Sequence, residues 1–330
     1  MDFKLLKMSL KTIAKKTLKL LHNHKKYKND IFIFTLPRAG STFLAEILNT
    51  NKECKTCAEP FALNKDNKEV LKKYLLNETL KERYTDISQN KFKLFLKYLK
   101  DLSAGKTWNS FYWSDFFSKD HSFKTIRTIF KIHKLTYLFD DIMPFFSDEK
   151  AIYLLRHPVS HSLSRIRNNW TTYNELYMSA EKIKHKLSDK KIDAASEIIN
   201  NGSKLQKFVL SWILENYSFL MLYKANKLPQ NVIPVFYETL LSDSEKYLKD
   251  ICLKINLEFS EEMLKKIHVP SHGIVHSTQE IKQKILLKDT NALLSGWQNK
   301  ISDKDKNEIS ELLNIFEIEI YNIESVLPIL

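Results

Sequence analysis

The apolar positions fall into two periods, short unbroken runs and helical spacing, and the runs come first. Ile31–Phe34 is a continuous apolar run of the kind that forms a strand buried on both faces of a parallel sheet. Thr128–Ile132 and Ala151–Leu155 read as two further buried strands, and Val232–Phe236 as a fourth. After the first run, Phe43, Leu44, Ile47 and Leu48 take helical spacing, so the local order is strand, loop, helix. The second and third runs are likewise followed by a polar turn and a helix, which gives a β-α-β-α order and an α/β fold with a mostly parallel sheet flanked by helices. Val232–Phe236 leads into a helix reaching about Ile255, and residues 303–321 are helical again. Residues 62–125 read as helices and aromatic loops, including Trp108, Phe111, Tyr112, Trp113, Phe116 and Phe117; the charged stretch near 182–204 reads as an exposed connection.

Residues 3–21 differ from all of these. Leu5, Leu6, Leu10, Ile13, Leu18 and Leu21 line one side, with Lys4, Lys7, Lys11, Lys15 and Lys19 on the other. Such a helix suits packing on the domain as a solvated element, and also peripheral contact with an anionic membrane surface. The expected division is a basic amphipathic helix within residues 1–29 and a single domain over 30–330, without internal repeats.

Composition narrows the class. A hydrophobic fraction of 43% over 330 residues supplies a sizeable core. No stretch approaches the roughly 20 apolar residues of a membrane span, and the N-terminus lacks a secretory signal's apolar core and cleavage site. Three cysteines (Cys54, Cys57, Cys252) make no disulfide framework, so a reducing cytoplasm is expected, with peripheral attachment to the inner membrane face if residues 3–21 bind there. Cys54-x-x-Cys57 has no second pair and no histidines at ligand spacing, so no metal is implied and the thiols read as incidental. The net charge of +13 is carried by lysines scattered along the whole length rather than by a stripe with aromatics, so nucleic acid is not an expected partner. Arginine is used differently: four of the six (Arg38, Arg156, Arg165, Arg167) sit in two short segments, as suits bidentate work on phosphate or sulfate. Glycine is as scarce, with five in all, and Gly40 falls in the first of those segments.

That segment, Thr35-Leu-Pro-Arg-Ala-Gly-Ser-Thr42, joins a parallel strand to a helix N-terminus. Free backbone N–H groups and the positive end of the helix dipole make an anion site there, to which Ser41 and Thr42 add hydroxyls and Arg38 a fixed charge. Taken alone the turn would also serve as a helix cap. It is not a nucleotide-triphosphatase loop, because G-x-x-x-x-G-K-[ST] is absent. In the second segment a strand ends at Arg156, Pro158 opens a helix, and Ser164 lies eight residues beyond the arginine, so both groups can converge on one phosphate.

Pro37-Arg38-Ala39-Gly40-Ser41-Thr42-Phe43-Leu44 resembles the 5′-phosphosulfate loop of sulfotransferases dependent on 3′-phosphoadenylyl sulfate (PAPS), closest to the Pro-Arg-Ser-Gly form of carbohydrate and tyrosylprotein members. Ala39 departs from the usual serine or glycine. Arg156 and Ser164 resemble the family's 3′-phosphate motif, and the resemblance extends over roughly residues 30–321. It implies a P-loop-like three-layer fold and transfer of a sulfuryl group from PAPS to a hydroxyl acceptor, leaving adenosine 3′,5′-bisphosphate. It also implies donor contacts from Pro37 to Phe43, Arg156, Ser164, Tyr237 (in Phe-Tyr-Glu-Thr-Leu-Leu), Ser277 and Lys300 (in Trp-Gln-Asn-Lys-Ile). Lys131 stands where tyrosylprotein members carry a catalytic lysine. Trp212 and Asn216 follow a helical pattern of the family and read as core.

The chemistry needs a cation on the donor, a positive partner for the leaving phosphate oxygen and a base for the acceptor proton. Arg38 and Lys131 fit the first two roles. Glu59, in Cys-Ala-Glu-Pro, resembles the family's catalytic glutamate and is the expected base; His133 is the substitute, though a histidine there also suits simple packing. A glycan hydroxyl is the favoured acceptor, with peptide tyrosine next and a lipid-linked sugar also open. A kinase-like phosphotransferase is disfavoured by the missing Gly-Lys.

Overall fold

The computed structural model describes residues 29–63, 65–76, 88–104, 106–107, 127–133, 135–272 and 279–329. The helix expected over 3–21, the aromatic stretch 108–117 and Ser277 lie outside the described residues. Five strands, β1 (Ile31–Thr35), β2 (Cys54–Cys57), β3 (Arg127–Ile132), β4 (Lys150–Leu155) and β5 (Val232–Phe236), form one sheet in the order β2-β3-β1-β4-β5. Every pairing is parallel. The helices used below are α1 (Ser41–Leu48), α2 (Gln89–Ser103), α3 (Pro158–Arg167), α4 (Asp189–Asn201), α5 (Lys204–Lys224), α6 (Tyr237–Ser242), α7 (Ser244–Lys254), α8 (Glu261–Ile267), α9 (Gln279–Leu286) and α10 (Asp303–Ile315).

The unbroken apolar runs are explained by two cores, one on each face of the sheet. Phe32, Phe34, Phe130, Ile132, Tyr153 and Leu155 point to the face covered by α2 and α5. Their alternates Ile31, Ile33, Ile129, Ile152, Leu154 and Val235 point to the face covered by α1, α7 and α8. Successive side chains of a strand point to opposite faces, so a strand covered on both sides has no polar alternate to show. Aromatic stacking knits the first core, with Phe32 on Phe130 at 5.2 Å and Tyr153 on Phe219 at 3.8 Å between ring centroids. Tyr153 Oη donates to Asn216 Oδ1 at 2.8 Å beside buried Trp212, so both of the latter are core residues.

Four elements depart from the sequence reading, one only in length: the helix expected over residues 303–321 ends at Ile315. Cys54–Cys57 is a strand, β2, and its four residues at the sheet edge carry too little apolar pattern to announce it. The stretch near 182–204 is structured: α4 buries Ala195 and Ile198, and Lys191 reaches Tyr217 Oη at 3.0 Å. Two small apolar contacts one turn apart are hidden among charges in the sequence. The helix expected to reach Ile255 is two helices, broken at Asp243, where the backbone leaves helical geometry (φ −131°, ψ 57°).

Candidate active site

In a sheet of this order the chain leaves β1 toward β2 and β3, then crosses to β4 on the other side. The crevice beyond the carboxyl ends at such a reversal is where open α/β folds bind ligands. All five strands deliver a residue there: the 36–40 loop from β1, Glu59 from just past β2, His133 from β3, Arg156 from β4 and Tyr237 from β5. The unrecognised β2 is what brings Glu59 to this edge.

The loop after β1 is anchored by Thr35, whose hydroxyl donates to the Leu154 carbonyl at 2.9 Å. Arg38 and Gly40 both have left-handed φ, 77° and 100°. Alternation of this kind turns successive N–H groups toward one concave side, a nest for anions. Gly40 is needed on a second ground, since a Cβ there would sit 2.5 Å from Cδ2 of Tyr237. No side chain caps the first turn of α1, so its amides are left for another partner.

The second segment folds against this loop. Arg156 donates from Nη1 to the Arg38 carbonyl at 3.1 Å and from Nη2 to Ser160 Oγ at 2.9 Å, and its guanidinium lies 4.6 Å from the centroid of the Tyr237 ring. Arg38 Nε donates to Ser164 Oγ at 3.3 Å. The ring of His161, kept neutral because burial drives its pKa well down, donates to the Pro37 carbonyl at 2.9 Å. Arg165, by contrast, faces inward and joins α3 to α5 through Glu215 at 3.1 Å. Arg167 and Ser160, which the sequence reading did not assign to the site, line the same cavity. Ser160, Ser164 and Arg167 are spaced i, i+4 and i+7 on α3, so one helix face carries all three, and that spacing was the available signal. Loss of solvent and then the charge of Arg156 hold the guanidinium pKa values of Arg38 and Arg167 below their usual range. Like charges crowded in this way are relieved by an anion.

On the other side of the loop stands a cluster from β2 and β3. Glu59 Oε1 lies 3.0 Å from His133 Nδ1 and 3.5 Å from Lys131 Nζ. Burial pushes the Glu59 carboxyl up, but the His133 charge and hydrogen bond, with Lys131 behind them, outweigh it and bring it down to about 2. A carboxylate can only accept, so Nδ1 carries the proton of that bond. His133 Nε2 meets Ser41 Oγ at 2.8 Å, and Lys131 Nζ donates to Thr42 Oγ1 at 3.1 Å. The hydroxyls of the loop after β1 and the Glu59–Lys131–His133 cluster are therefore already in contact.

These groups surround a cavity of about 640 Å³. Pro37, Arg38, Gly40, Ser41, Thr42, Phe43, Glu59, Lys131, His133, Arg156, Ser164, Tyr237 and Lys300 all line it. Ala39 does not: its side chain is buried and its N–H is spent on the Leu36 carbonyl at 3.2 Å, closing the turn from behind. The sequence expectation of a donor contact from Ala39 is corrected on that ground. Cys54 and Cys57 are buried, and burial pushes both thiols up, Cys54 to about 12, as for inert core cysteines.

The parallel sheet, with its loop between β1 and α1, is a P-loop-like α/β fold. The sulfotransferase family profile matches residues 30–261, and the chain belongs to that family. It is an enzyme of sulfuryl transfer, a reaction whose acceptors in this family are hydroxyl groups. Solved structures similar to it include the sulfotransferase domain of the Synechococcus PCC 7002 olefin synthase, at 19% identity over 91% of this chain and 97% of that one, with a TM-score of 0.44. The sulfotransferase domain from the curacin biosynthetic pathway is similar at 14% identity over 89% and 99%, TM-score 0.47. Mouse sulfotransferase SULT7A1 complexed with PAP is similar at 16% identity over 92% and 90%, TM-score 0.43. No curated protein sequence matches the chain. Among the described residues no helix is long and apolar enough to cross a membrane.

Proposed function

We propose that the chain transfers the sulfuryl group of PAPS to a hydroxyl of a sugar or glycan, releasing adenosine 3′,5′-bisphosphate. One observation carries the reading: two anion-binding features share one cavity, the uncapped loop at α1 and the convergence of Arg38, Arg156 and Arg167 on the Ser160–Ser164 face of α3. A nucleotide with separate 5′ and 3′ phosphoryl ends meets both, and the cavity volume lies within the range of about 300–1,000 Å³ usual for small-molecule sites. Loop residues 37–43 would hold the phosphosulfate, with Arg156, Ser164 and Arg167 toward the 3′-phosphate, Tyr237 beneath Arg156 and Lys300 at the rim.

Lys131, one residue from the end of β3, supplies the positive partner of the leaving phosphate oxygen. The acceptor proton goes to the Glu59–His133 pair. Glu59 Oε1 is already engaged by His133 Nδ1 and Lys131 Nζ. Glu59 therefore acts through the imidazole, fixing Nδ1–H and balancing the charge that forms when Nε2, released from Ser41, takes the proton. Preference for a sugar rests on the loop taken together with the Glu59-Pro60 segment, both of which resemble those of carbohydrate members.

The test is transfer of labelled sulfate from PAPS onto glycans, lipid-linked sugars and tyrosine peptides in parallel, with adenosine bisphosphate binding measured in the presence of a magnesium chelator. Labelled glycan and chelator-resistant binding are expected. Labelled peptide alone would move the acceptor to tyrosine, and binding that requires magnesium would overturn the PAPS reading.

A further inference from the structure

The turn that presents Arg156 is held from a part of the chain remote from it in sequence. His157 and Glu238 are buried, and the His157 N–H donates to Glu238 Oε1 at 2.8 Å. The other carboxylate oxygen accepts from Tyr321 Oη at 2.9 Å. The His157 ring donates from Nε2 to the Asn322 carbonyl at 3.0 Å; a carbonyl cannot donate, so the tautomer is fixed. That ring is stacked on Trp297 with centroids 4.3 Å apart and planes at 20°, and meets Tyr321 edge-on at 5.2 Å. Burial lowers the imidazole to about 4, so it stays neutral through the physiological range.

Three contacts from residues 297–322 thus converge on the single residue between Arg156 and the first residue of α3, and a fourth holds the carboxylate that its N–H meets. None of these residues falls within the matched family segment 30–261. Glu238 also follows Tyr237, the ring on which the Arg156 guanidinium rests, so one carboxylate ties together the turn, the aromatic platform and the C-terminal segment. Among the described residues Arg156 makes two hydrogen bonds, to a carbonyl and a serine hydroxyl, and no ion pair with a carboxylate. Its aim depends on the turn and the ring beneath it.

We propose that the Trp297–Asn322 segment is a clamp that sets the aim of Arg156, with His157, Glu238 and Tyr321 as positioning residues for recognition of the donor's 3′-phosphate. This rests on the assignment of Arg156 to the PAPS nucleotide. The clamp makes a specific demand: loosening it must weaken recognition of the 3′-phosphate far more than that of the 5′ end, which the loop after β1 holds. General destabilisation cannot produce that split.

Isothermal titration of the full chain with adenosine 3′,5′-bisphosphate and with adenosine 5′-phosphate reads it directly. Tyr321→Phe keeps the buried ring and removes only the hydroxyl on Glu238. His157→Phe keeps the stack on Trp297 and removes the bond to Asn322, which gives an independent variant should the first fail to fold. For either, the bisphosphate is expected to bind about tenfold more weakly, the scale of one buried hydrogen bond, with the 5′-phosphate within about twofold of wild type. Arg156→Ala is the control. If Arg156→Ala loses the bisphosphate but both clamp variants bind it like wild type, the clamp is wrong and the donor assignment stands. Equal weakening of both nucleotides also overturns the clamp. Wild-type affinity for the bisphosphate in Arg156→Ala overturns the donor assignment and the clamp with it.

Discussion

Gly40→Ala places one methyl group at the tightest point of the site. At φ 100° an L-residue is strained, by about 1–2 kcal/mol. The added Cβ would also lie 2.5 Å from Cδ2 and 2.8 Å from Cε2 of Tyr237, so the ring must move, and overpacking of this sort costs about 1–3 kcal/mol. The two effects sum to about 2–5 kcal/mol of lost stability. The functional loss should exceed the stability loss, because the displaced ring is the platform of Arg156. Denaturant melts give the first quantity and bisphosphate titration the second. Adding Tyr237→Ala to Gly40→Ala separates the causes: the clash vanishes, the φ strain remains, and a coupling of about 1–3 kcal/mol is expected between the two substitutions. Additive effects, or a Gly40→Ala protein with wild-type stability and affinity, would refute the reasoning.

The rest of the site gives four further expectations. Arg38→Ala and Arg156→Ala should each abolish bisphosphate binding or turnover in a labelled-sulfate assay. Arg167→Ala should weaken bisphosphate binding about tenfold or more, with little change for the 5′-phosphate, since charge-assisted hydrogen bonds contribute about 1.5–3 kcal/mol. Glu59→Gln should leave donor binding intact and slow transfer by about 10²–10⁴-fold, the usual yield of acid–base catalysis; turnover at the wild-type rate would remove Glu59 from the mechanism. Stability should depend on acid through the same residue. Its folded pKa of about 2 lies below the ordinary glutamate value of 4.5, so its contribution is present above pH 4.5 and lost as pH falls through 2. Urea melts should therefore show the gap between wild type and Glu59→Gln narrowing across that window, and a constant gap would contradict the pairing with His133 and Lys131.

What could be read from the chain before folding follows from how local each feature is. β1, the loop and α1 are contiguous, and their strand run, glycine and helical spacing sit within 18 residues, Ile31 to Leu48. The same holds for Arg156, Pro158 and Ser164 on β4 and α3. β2 escaped because an edge strand of four residues, two of them polar, has no distinguishing period. Glu59 and Lys131 are found by resemblance and His133 as the substitute base, but their contact is not, since Glu59 and His133 lie 74 residues apart and meet only because β2 lies beside β3. Ala39 misled because a motif reports side-chain identity, whereas the turn consumes its N–H and hides its methyl. The bonds from Tyr321 and Asn322 to Glu238 and His157 are further still from local reading, being set by where the last helix ends and the chain turns back at Glu317, which has φ 58°.

The division of labour between the two basic side chains has a practical consequence. Of the five described arginines, Arg127 is buried and satisfied by the carbonyls of Asn29, Ile255 and Asn256, and Arg165 is buried against Glu215. The other three face the cavity. Among the described residues, most lysines, in contrast, lie outside the cavity, and four (Lys131, Lys284, Lys288, Lys300) line it. Among the described residues, a dicarbonyl reagent that modifies guanidinium groups therefore samples the cavity almost exclusively, and its rate follows whether that cavity is occupied. An amine-directed label divides between the exterior and the four lysines of the cavity, and so reports occupancy only in part.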